Sequence, residues 1–171
     1  MKSMEDEQIM RDVRAGEVAK LETLFDRHSR ALLHYFLHLT GNRAVSEDLV
    51  QEVFFRILKY RHTYQNETTF RAWMFQIGRN VHIDHAGRHK AEVAMPQAQN
   101  KQEAALLHRA LASLPEDKRE VLIMSRFLDL KYEEIAIVLK CEVGTVKVRV
   151  YRALRELGDR FFALRGERAA T

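Results

Sequence analysis

The chain has 171 residues, of which 46% are hydrophobic and 30% charged, with 7 glycines and 2 prolines. This length excludes a large multi-domain enzyme, and the composition excludes a disordered or fibrous chain. The net charge is only +4, so the distribution of charge is more informative than its sum. The single cysteine, Cys141, excludes an internal disulfide, and no apolar run reaches the ~20 residues of a bilayer span. We therefore expect a soluble, cytoplasmic protein.

Periodic apolar residues predict helices in the first half of the chain. A short helix is expected over residues 5–14, and a long amphipathic helix over residues 21–39, which Gly41 is placed to end. Ser46, followed directly by two acidic residues, has the pattern of an N-cap with acids in the first helical turn. It predicts the start of the next helix, which continues over residues 46–60.

A polar, aperiodic stretch over residues 62–68 predicts a loop. Thr68 or Thr69 can cap a third long helix after this loop. Trp73 lies in the apolar stripe of that helix, so we expect it to pack in a core rather than to serve as an exposed stacking surface. Together these helices predict an N-terminal bundle over residues 1–88.

The second half of the chain is predicted to form a separate helical domain. Residues 89–103 contain a proline, scattered polar residues and no sustained apolar stripe, which is typical of a flexible linker. We place the second domain at residues 104–171. Its helices are expected over residues 102–113, 116–127, 132–139 and 143–164. The predicted fold class is all-α, with two small helical domains.

The helices over residues 132–139 and 143–164 follow one another at the spacing of a helix-turn-helix. Residues 140–155 carry five basic residues against one acid. One face of the second helix is apolar, and the opposite face carries Lys147, Val148, Tyr151, Arg152 and Arg155. Thr145 and the amides at the helix start can hold a phosphate, and the cations behind them can reach base edges in the major groove. We therefore predict that this segment binds DNA.

Four segments in chain order resemble the ECF group of sigma-70-type RNA polymerase sigma factors. They are Glu47–Ile57, Phe70–His85, Leu111–Leu122 and Tyr132–Arg149. A helix-turn-helix alone is shared by many regulators, whereas four segments in order around a linker are specific. The resemblance implies a transcription initiation factor that binds bacterial core RNA polymerase and directs it to promoter DNA.

The resemblance also implies three groups of functional residues. The first domain would bind core polymerase through Asp48, Gln51, Glu52, Phe55 and Arg56, a largely polar face directed away from the apolar stripe. It would melt and hold the promoter minus-10 element through Tyr64, Gln65, Asn66, Arg79, Asn80, His85 and Arg88. The second domain would read the minus-35 element through Lys147, Val148, Tyr151, Arg152 and Arg155, with Thr145 and Arg149 on phosphates.

Two positions depart from the family pattern. Lys140 stands where many members have a turn glycine, and Val148 stands where a serine is common. These departures affect the geometry of the turn and one base contact. The resemblance further implies an anti-sigma partner that covers these surfaces until a signal arrives. We expect no cofactor, catalytic residue, small-molecule substrate or membrane insertion.

The same residues are compatible with two alternative functions and one further role for a side chain. A conventional dimeric helix-turn-helix regulator explains residues 132–157 but leaves the polar face and the loop of the first domain unexplained. His82, His85 and His89 share one helix, but no carboxylate or cysteine completes a metal shell at ligand spacing. Cys141 is most simply a small apolar filler in the turn, with redox sensing as the alternative.

Overall fold

The computed structural model describes residues 5–88 and 102–169, and its regular elements within these ranges are all helical. The α-helices are α1 (Asp6–Arg14), α2 (Leu21–Thr40), α3 (Arg43–Lys59), α4 (Phe70–Arg88), α5 (Gln102–Ser113), α6 (Glu116–Leu122), α7 (Tyr132–Leu139) and α8 (Val143–Ala169). The all-α prediction is confirmed. Helix α8 extends five residues beyond its predicted end.

Two predicted helix boundaries follow from the residues singled out in the sequence. Gly41 ends α2 in the left-handed conformation, with φ 64°, and its N–H donates to the Leu37 carbonyl at 2.8 Å. Glycine adopts this conformation without the steric cost that a Cβ imposes. At the start of α4, the Thr69 hydroxyl accepts a hydrogen bond from the Ala72 N–H at 3.2 Å. Of the two candidate threonines, Thr68 and Thr69, it is therefore Thr69 that caps α4.

The predicted N-cap of α3 is wrong. The helix begins at Arg43, and the side chain of Asn42 caps it by accepting a hydrogen bond from the Val45 N–H at 3.0 Å. Ser46 is instead fully buried inside the helix, where its hydroxyl donates to the Asn42 carbonyl at 2.7 Å. Asn42 has the extended backbone that an N-cap needs, and asparagine caps as well as serine does. The two acids after Ser46 consequently lie beyond the first turn.

The N-terminal half (residues 5–88) packs α1 to α4 around an aromatic core. Its largest fully buried side chains include Tyr35, Phe36, Tyr64, Phe70 and Phe75. Each such side chain stabilises the fold by about 1.5–3 kcal/mol relative to exposure. A Cβ at Gly78 would lie 3.4 Å from a methyl group of Leu32, so glycine at this position allows α4 to approach α2 closely.

The C-terminal half (residues 102–169) packs α5 to α8 around a smaller aliphatic core that includes Leu111, Ile135 and Val146. Helix α6 continues into a π-helical segment, Ile123–Phe127. The Leu128 N–H closes this segment by donating to the Ile123 carbonyl at 3.0 Å. Helix α6 and the π-helical segment together occupy the single helix predicted over residues 116–127.

The two halves are in contact. Helix α4 packs against α7, and α2 approaches α6 and the π-helical segment. Of the predicted linker at 89–103, residues 89–101 lie outside the described residues, while Gln102 and Glu103 already belong to α5. Among the predicted functional side chains, the contact between the halves engages Arg79 of α4.

Candidate nucleic-acid and polymerase interfaces

Helices α7 and α8 form the predicted helix-turn-helix. Lys140 ends α7 in the left-handed conformation, with φ 54° and ψ 50°. This is the position at which the family pattern has a turn glycine. The Cys141 N–H then donates to the Ala136 carbonyl at 3.0 Å. Cys141 is half-buried against the apolar core, which agrees with its interpretation as a filler. The chain thus makes the turn with a lysine in a backbone conformation that favours glycine.

Helix α8 has the two faces that the sequence predicts. Its buried face carries Val146, Val150 and Ala153 against the core. The predicted minus-35 residues, all of them exposed, are Thr145, Lys147, Val148, Arg149, Tyr151, Arg152 and Arg155. Tyr151 is 65% exposed and Val148 47% exposed, although both are large apolar or aromatic residues. Because the core does not use these side chains, they are available to contact a partner.

The positive charge of this face is not neutralised within the described residues. There, Lys147, Arg149, Arg152 and Arg155 have no ion-pair partner. Glu156, the first acid after them, pairs instead with Lys118 and Arg160. The hydrogen bond from Lys118 is the main reason why the pKa of Glu156 is lowered. Since Glu156 is already paired, the cations of α8 remain free to bind phosphates or bases.

Tyr64 does not lie on the DNA-facing surface that was predicted for it. Its side chain is fully buried, with its ring 5.1 Å from that of Trp73 and its hydroxyl donating to the Thr68 carbonyl. Burial raises the pKa of Tyr64 to about 12. Its neighbours Gln65 and Asn66 are exposed. In this conformation the loop therefore presents two amide side chains, and no tyrosine, to a partner.

The predicted minus-10 residues of α4 divide into two groups. Asn80 and Arg88 are exposed, and His85 is half-buried. Arg79 points toward the C-terminal half, where its Nε lies 3.0 Å from Oε1 of Glu120. The structure thus leaves Asn80 and Arg88 at the surface but engages Arg79 within the protein.

The predicted polymerase-binding residues of α3 form a mixed acidic, amide and aromatic surface. Asp48, Gln51 and Phe55 are exposed, and the Phe55 side chain is 60% accessible. Arg56 has a different role in this conformation: its Nε donates to Glu52 at 2.9 Å and its Nη1 donates to Asp84 of α4 at 2.9 Å. Arg56 therefore ties α3 to α4.

A groove of about 350 Å³ adjoins this surface between α2 and α3. It is lined by Phe25, Ser29, Arg30, Leu33, Glu47, Val50 and Gln51. The α2 side chains of this groove were not singled out in the sequence. Phe25 belongs to the apolar stripe of α2 but is 39% exposed, with its ring packed edge-on against Phe54. An exposed aromatic within a core stripe is the signal that could have identified the groove.

One of the three histidines considered as metal ligands, His82, contacts a carboxylate of the C-terminal half. Nε2 of His82 lies 2.6 Å from Oε1 of Glu116, and His89 lies outside the described residues. No group of three or more potential ligands is close enough to hold a metal ion in residues 5–88 and 102–169. Within the same ranges, no helix is long and apolar enough to cross a membrane.

Comparison with known families gives two matches that coincide with the two halves. Residues 24–92 match Sigma-70 region 2, and residues 104–157 match Sigma-70, region 4. The region 2 match accounts for the part of the chain that a helix-turn-helix regulator leaves unexplained. The helical bundle followed by a helix-turn-helix therefore defines a transcription factor of the sigma-70 type.

Individual relatives identify the group within this class. The ECF RNA polymerase sigma factor SigL of Mycobacterium tuberculosis is 31% identical over 158 residues, which cover 84% of this chain and 89% of SigL. The structure of CnrH in complex with the cytosolic domain of CnrY matches with a TM-score of 0.76 at 24% identity, over 92% of this chain and 97% of that one. The sigma factor RpoE of Bartonella quintana, in complex with the anti-sigma factor NepR, matches with a TM-score of 0.68 at 26% identity, over 81% and 94%. The chain belongs to the ECF RNA polymerase sigma factors, which are transcription initiation factors and not enzymes.

Proposed function

We propose that residues 1–88 dock on core RNA polymerase and open the minus-10 element, while residues 104–171 read the minus-35 element. The observation that carries this proposal is the exposed face of α8, whose four cations lack an ion-pair partner among the described residues. It lies in the same chain as a polar and aromatic face on α3. A conventional duplex-binding regulator has no use for the second surface.

Minus-35 reading is assigned to α8. Arg152, Lys147 and Tyr151 are exposed on the face opposite the buried stripe, where side chains of a recognition helix meet base edges. Thr145 and Arg149 would contact phosphates, which fixes the position of the helix without reading sequence. Val148 and Arg155 complete this surface. Val148 offers an apolar contact, for example to a thymine methyl group, where a serine would offer a hydroxyl.

Minus-10 capture is assigned to the loop before α4 and to α4 itself. Turning a base out of the stack costs a few kcal/mol, which the pocket must offset with stacking and hydrogen bonds. Gln65 and Asn66 supply exposed amides that match the edge of a base. Asn80, His85 and Arg88 would hold phosphates of the separated strand. Arg79 would join them once it is released from Glu120. Tyr64 is omitted from this site because its ring is buried.

Polymerase docking is assigned to Asp48, Gln51 and Phe55, with Glu52 beside them and Arg56 as the support that joins α3 to α4. Exposed acids and amides around an aromatic side chain suit a basic partner surface that has an apolar centre. The adjoining groove between α2 and α3 extends this surface. The chain would act in the cytoplasm, where core polymerase and promoter DNA are found.

We also propose that an anti-sigma factor controls this chain. The RpoE structure, which is similar over most of its length, contains the anti-sigma factor NepR. A partner that covers the α3 face or the α8 face would prevent polymerase docking or promoter binding.

The test is run-off transcription from a promoter library with purified bacterial core polymerase. We expect specific transcripts only when this protein is present. Their promoters should share two motifs at fixed spacing. The variant Gln51→Ala with Phe55→Ala should abolish them, while Glu17→Gln, an exposed acid away from every assigned surface, should not. Absence of transcripts, together with protection of a palindromic duplex by the protein alone, would overturn the assignment.

A further inference from the structure

The N-terminal half and helix α6 are joined by a cluster of polar side chains, here called the closure contact: Tyr35, Arg79, His82, Glu116 and Glu120. The Tyr35 hydroxyl donates to Oε1 of Glu120 at 2.8 Å, and Nε of Arg79 lies 3.0 Å from the same oxygen. One turn earlier on α6, Oε1 of Glu116 lies 2.6 Å from Nε2 of His82. Two carboxylates of the C-terminal half therefore bind side chains of α2 and α4.

Three members of the closure contact are withdrawn from water, while Glu116 is exposed. Tyr35 is fully buried, and Glu120 and His82 are each less than 10% exposed. Burial raises the pKa of Glu120, while the charge of Arg79 and the hydrogen bond from Tyr35 act in the opposite direction. A buried carboxylate that loses such partners is strongly disfavoured unless it returns to water. Glu120 therefore favours either a closed chain with these contacts or an open chain in which it is solvated.

Other contacts join the start of α4 to the C-terminal half. The Thr69 hydroxyl donates to Oε1 of Glu134 at 3.1 Å, and Nη2 of Arg71 donates to the Leu128 carbonyl at 2.6 Å. Oε2 of Glu134 also accepts from the Lys131 N–H at 2.9 Å, so this side chain is part of the cap of α7. The C-terminal half thus contacts α4 at its first turn and again around Arg79.

We propose that α6 is an intramolecular competitor for the minus-10 strand, with Glu120 and Glu116 in the place of DNA phosphates on α4. This inference rests on the proposed role of Arg79 in holding that strand. Glu120 holds Arg79 in an ion pair in which the buried Nε makes no hydrogen bond. A phosphate would attract the same guanidinium and could also accept hydrogen bonds from it, so the two anions compete for Arg79. The closed chain cannot offer Arg79 to DNA, and the halves must separate before the strand is held.

The proposal has a quantitative consequence for binding. If only the open chain binds the strand, the apparent dissociation constant equals the intrinsic constant divided by the open fraction. A closed state that leaves about a tenth of the molecules open weakens strand binding about tenfold. Removing the two carboxylate charges of α6 should recover that factor without adding any contact to DNA.

The experiment measures the separation of the halves in the full chain. Fluorescent labels are placed on Glu22→Cys and Asp159→Cys, two exposed positions on opposite halves, in a Cys141→Ala background. The double variant Glu116→Gln, Glu120→Gln should lower the energy transfer between the labels relative to the parent. The milder Tyr35→Phe, which removes one hydrogen bond to Glu120, should lower it partly, and Glu17→Gln should leave it unchanged. Helical content by circular dichroism checks that each variant is folded.

Strand binding is measured on the same proteins with a short single-stranded DNA of mixed sequence. The double variant is expected to bind about tenfold more tightly than the parent. Unchanged energy transfer in both the double variant and Tyr35→Phe would overturn the closure contact. Separation of the labels without tighter strand binding would overturn the competitor role. Neither readout uses polymerase or a promoter, so failure here is distinguishable from failure of the run-off test.

Discussion

Replacing Lys140 by glycine is expected to stabilise the protein, because the turn of the helix-turn-helix forces this lysine into the left-handed conformation. Its φ of 54° and ψ of 50° cost an ordinary residue about 1–2 kcal/mol. Glycine avoids that cost but has more conformational entropy in the unfolded chain, which removes about 0.4–1 kcal/mol of the gain. The free energy of unfolding should therefore rise by about 0.8 kcal/mol.

The assay is urea unfolding followed by circular dichroism, supported by thermal melting. For a chain of this size the gain corresponds to a rise in Tm of about 2–3 °C. The side chain of Lys140 is exposed, and its hydrogen bonds at the end of α7 are made by the backbone N–H, which glycine retains. The matched control is Lys131→Gly, at the other end of α7, where φ is −67°. Glycine relieves no strain there, so the free energy of unfolding should fall by about 0.4–1 kcal/mol.

A fall in stability for Lys140→Gly as large as that for Lys131→Gly would refute the reasoning. It would mean that the left-handed turn costs lysine nothing, or that the lysine side chain stabilises the fold through contacts with solvent and backbone. DNA binding provides a second check. Glycine leaves the turn in place, so the variant should lose at most one phosphate contact, seen as a reduction of about 0.9 in the slope of log affinity against log salt.

Three further predictions concern single side chains. Arg152→Ala should cost about 1–3 kcal/mol at one minus-35 position, whereas Arg149→Ala should weaken binding to all sequences alike and lower the salt slope by about 1; equal losses across promoter variants for Arg152→Ala would contradict its base-reading role. Burial lowers the pKa of His38 from 6.5 to about 4, so its neutral ring supports the folded chain fully above pH 6.5, and this support is lost as pH falls toward 4. In urea titrations, the free energy of unfolding should fall between pH 6.5 and 4 by roughly 2 kcal/mol less in His38→Gln than in the parent, after allowance for solvent screening. An unchanged pH dependence would contradict this role of His38. Arg56→Met should lower the free energy of unfolding by about 0.5–1.5 kcal/mol, because it removes a partly exposed ion pair to Glu52 within α3 and another to Asp84 of α4; Arg43→Met, on an exposed pair, should have a smaller effect.

Periodicity was sufficient to predict most of the helices and the exposed basic face of α8. The bounds of α7 agree with the prediction, and α8 buries and exposes the residues expected of it. The reason is that the helical period of the apolar residues in an amphipathic helix identifies the side that meets the core. The exposure of the cations of α8 is predictable for the same reason, because the opposite face of the helix is apolar.

Tyr64 and Ser46 show where local patterns fail. A tyrosine in a polar loop has the chemistry to stack on a base, but the loop has no periodicity that tells an inward side chain from an outward one. Its burial depends on Phe70 and Trp73 of the following helix, whose rings lie 6.5 Å and 5.1 Å from it. At α3, Asn42 and Ser46 both have cap chemistry, and the backbone conformation of Asn42 decides between them.

The closure contact could not be predicted from the sequence, because its members are far apart in the chain. Tyr35 and Glu120 are 85 residues apart, and His82 and Glu116 are 34 apart. Glu120 and His82 are polar side chains of the kind usually exposed on a helix, and here they are buried where the two halves meet. The same fact explains how Arg79 can be both a proposed strand contact and a structural residue. When a DNA phosphate replaces the carboxylate of Glu120, the guanidinium of Arg79 stays paired. The free-energy cost of opening therefore comes mainly from the lost contacts of Tyr35, His82 and the apolar surface around them. Variants at those positions, rather than at Arg79 itself, are therefore the ones that report how strongly the chain is held closed.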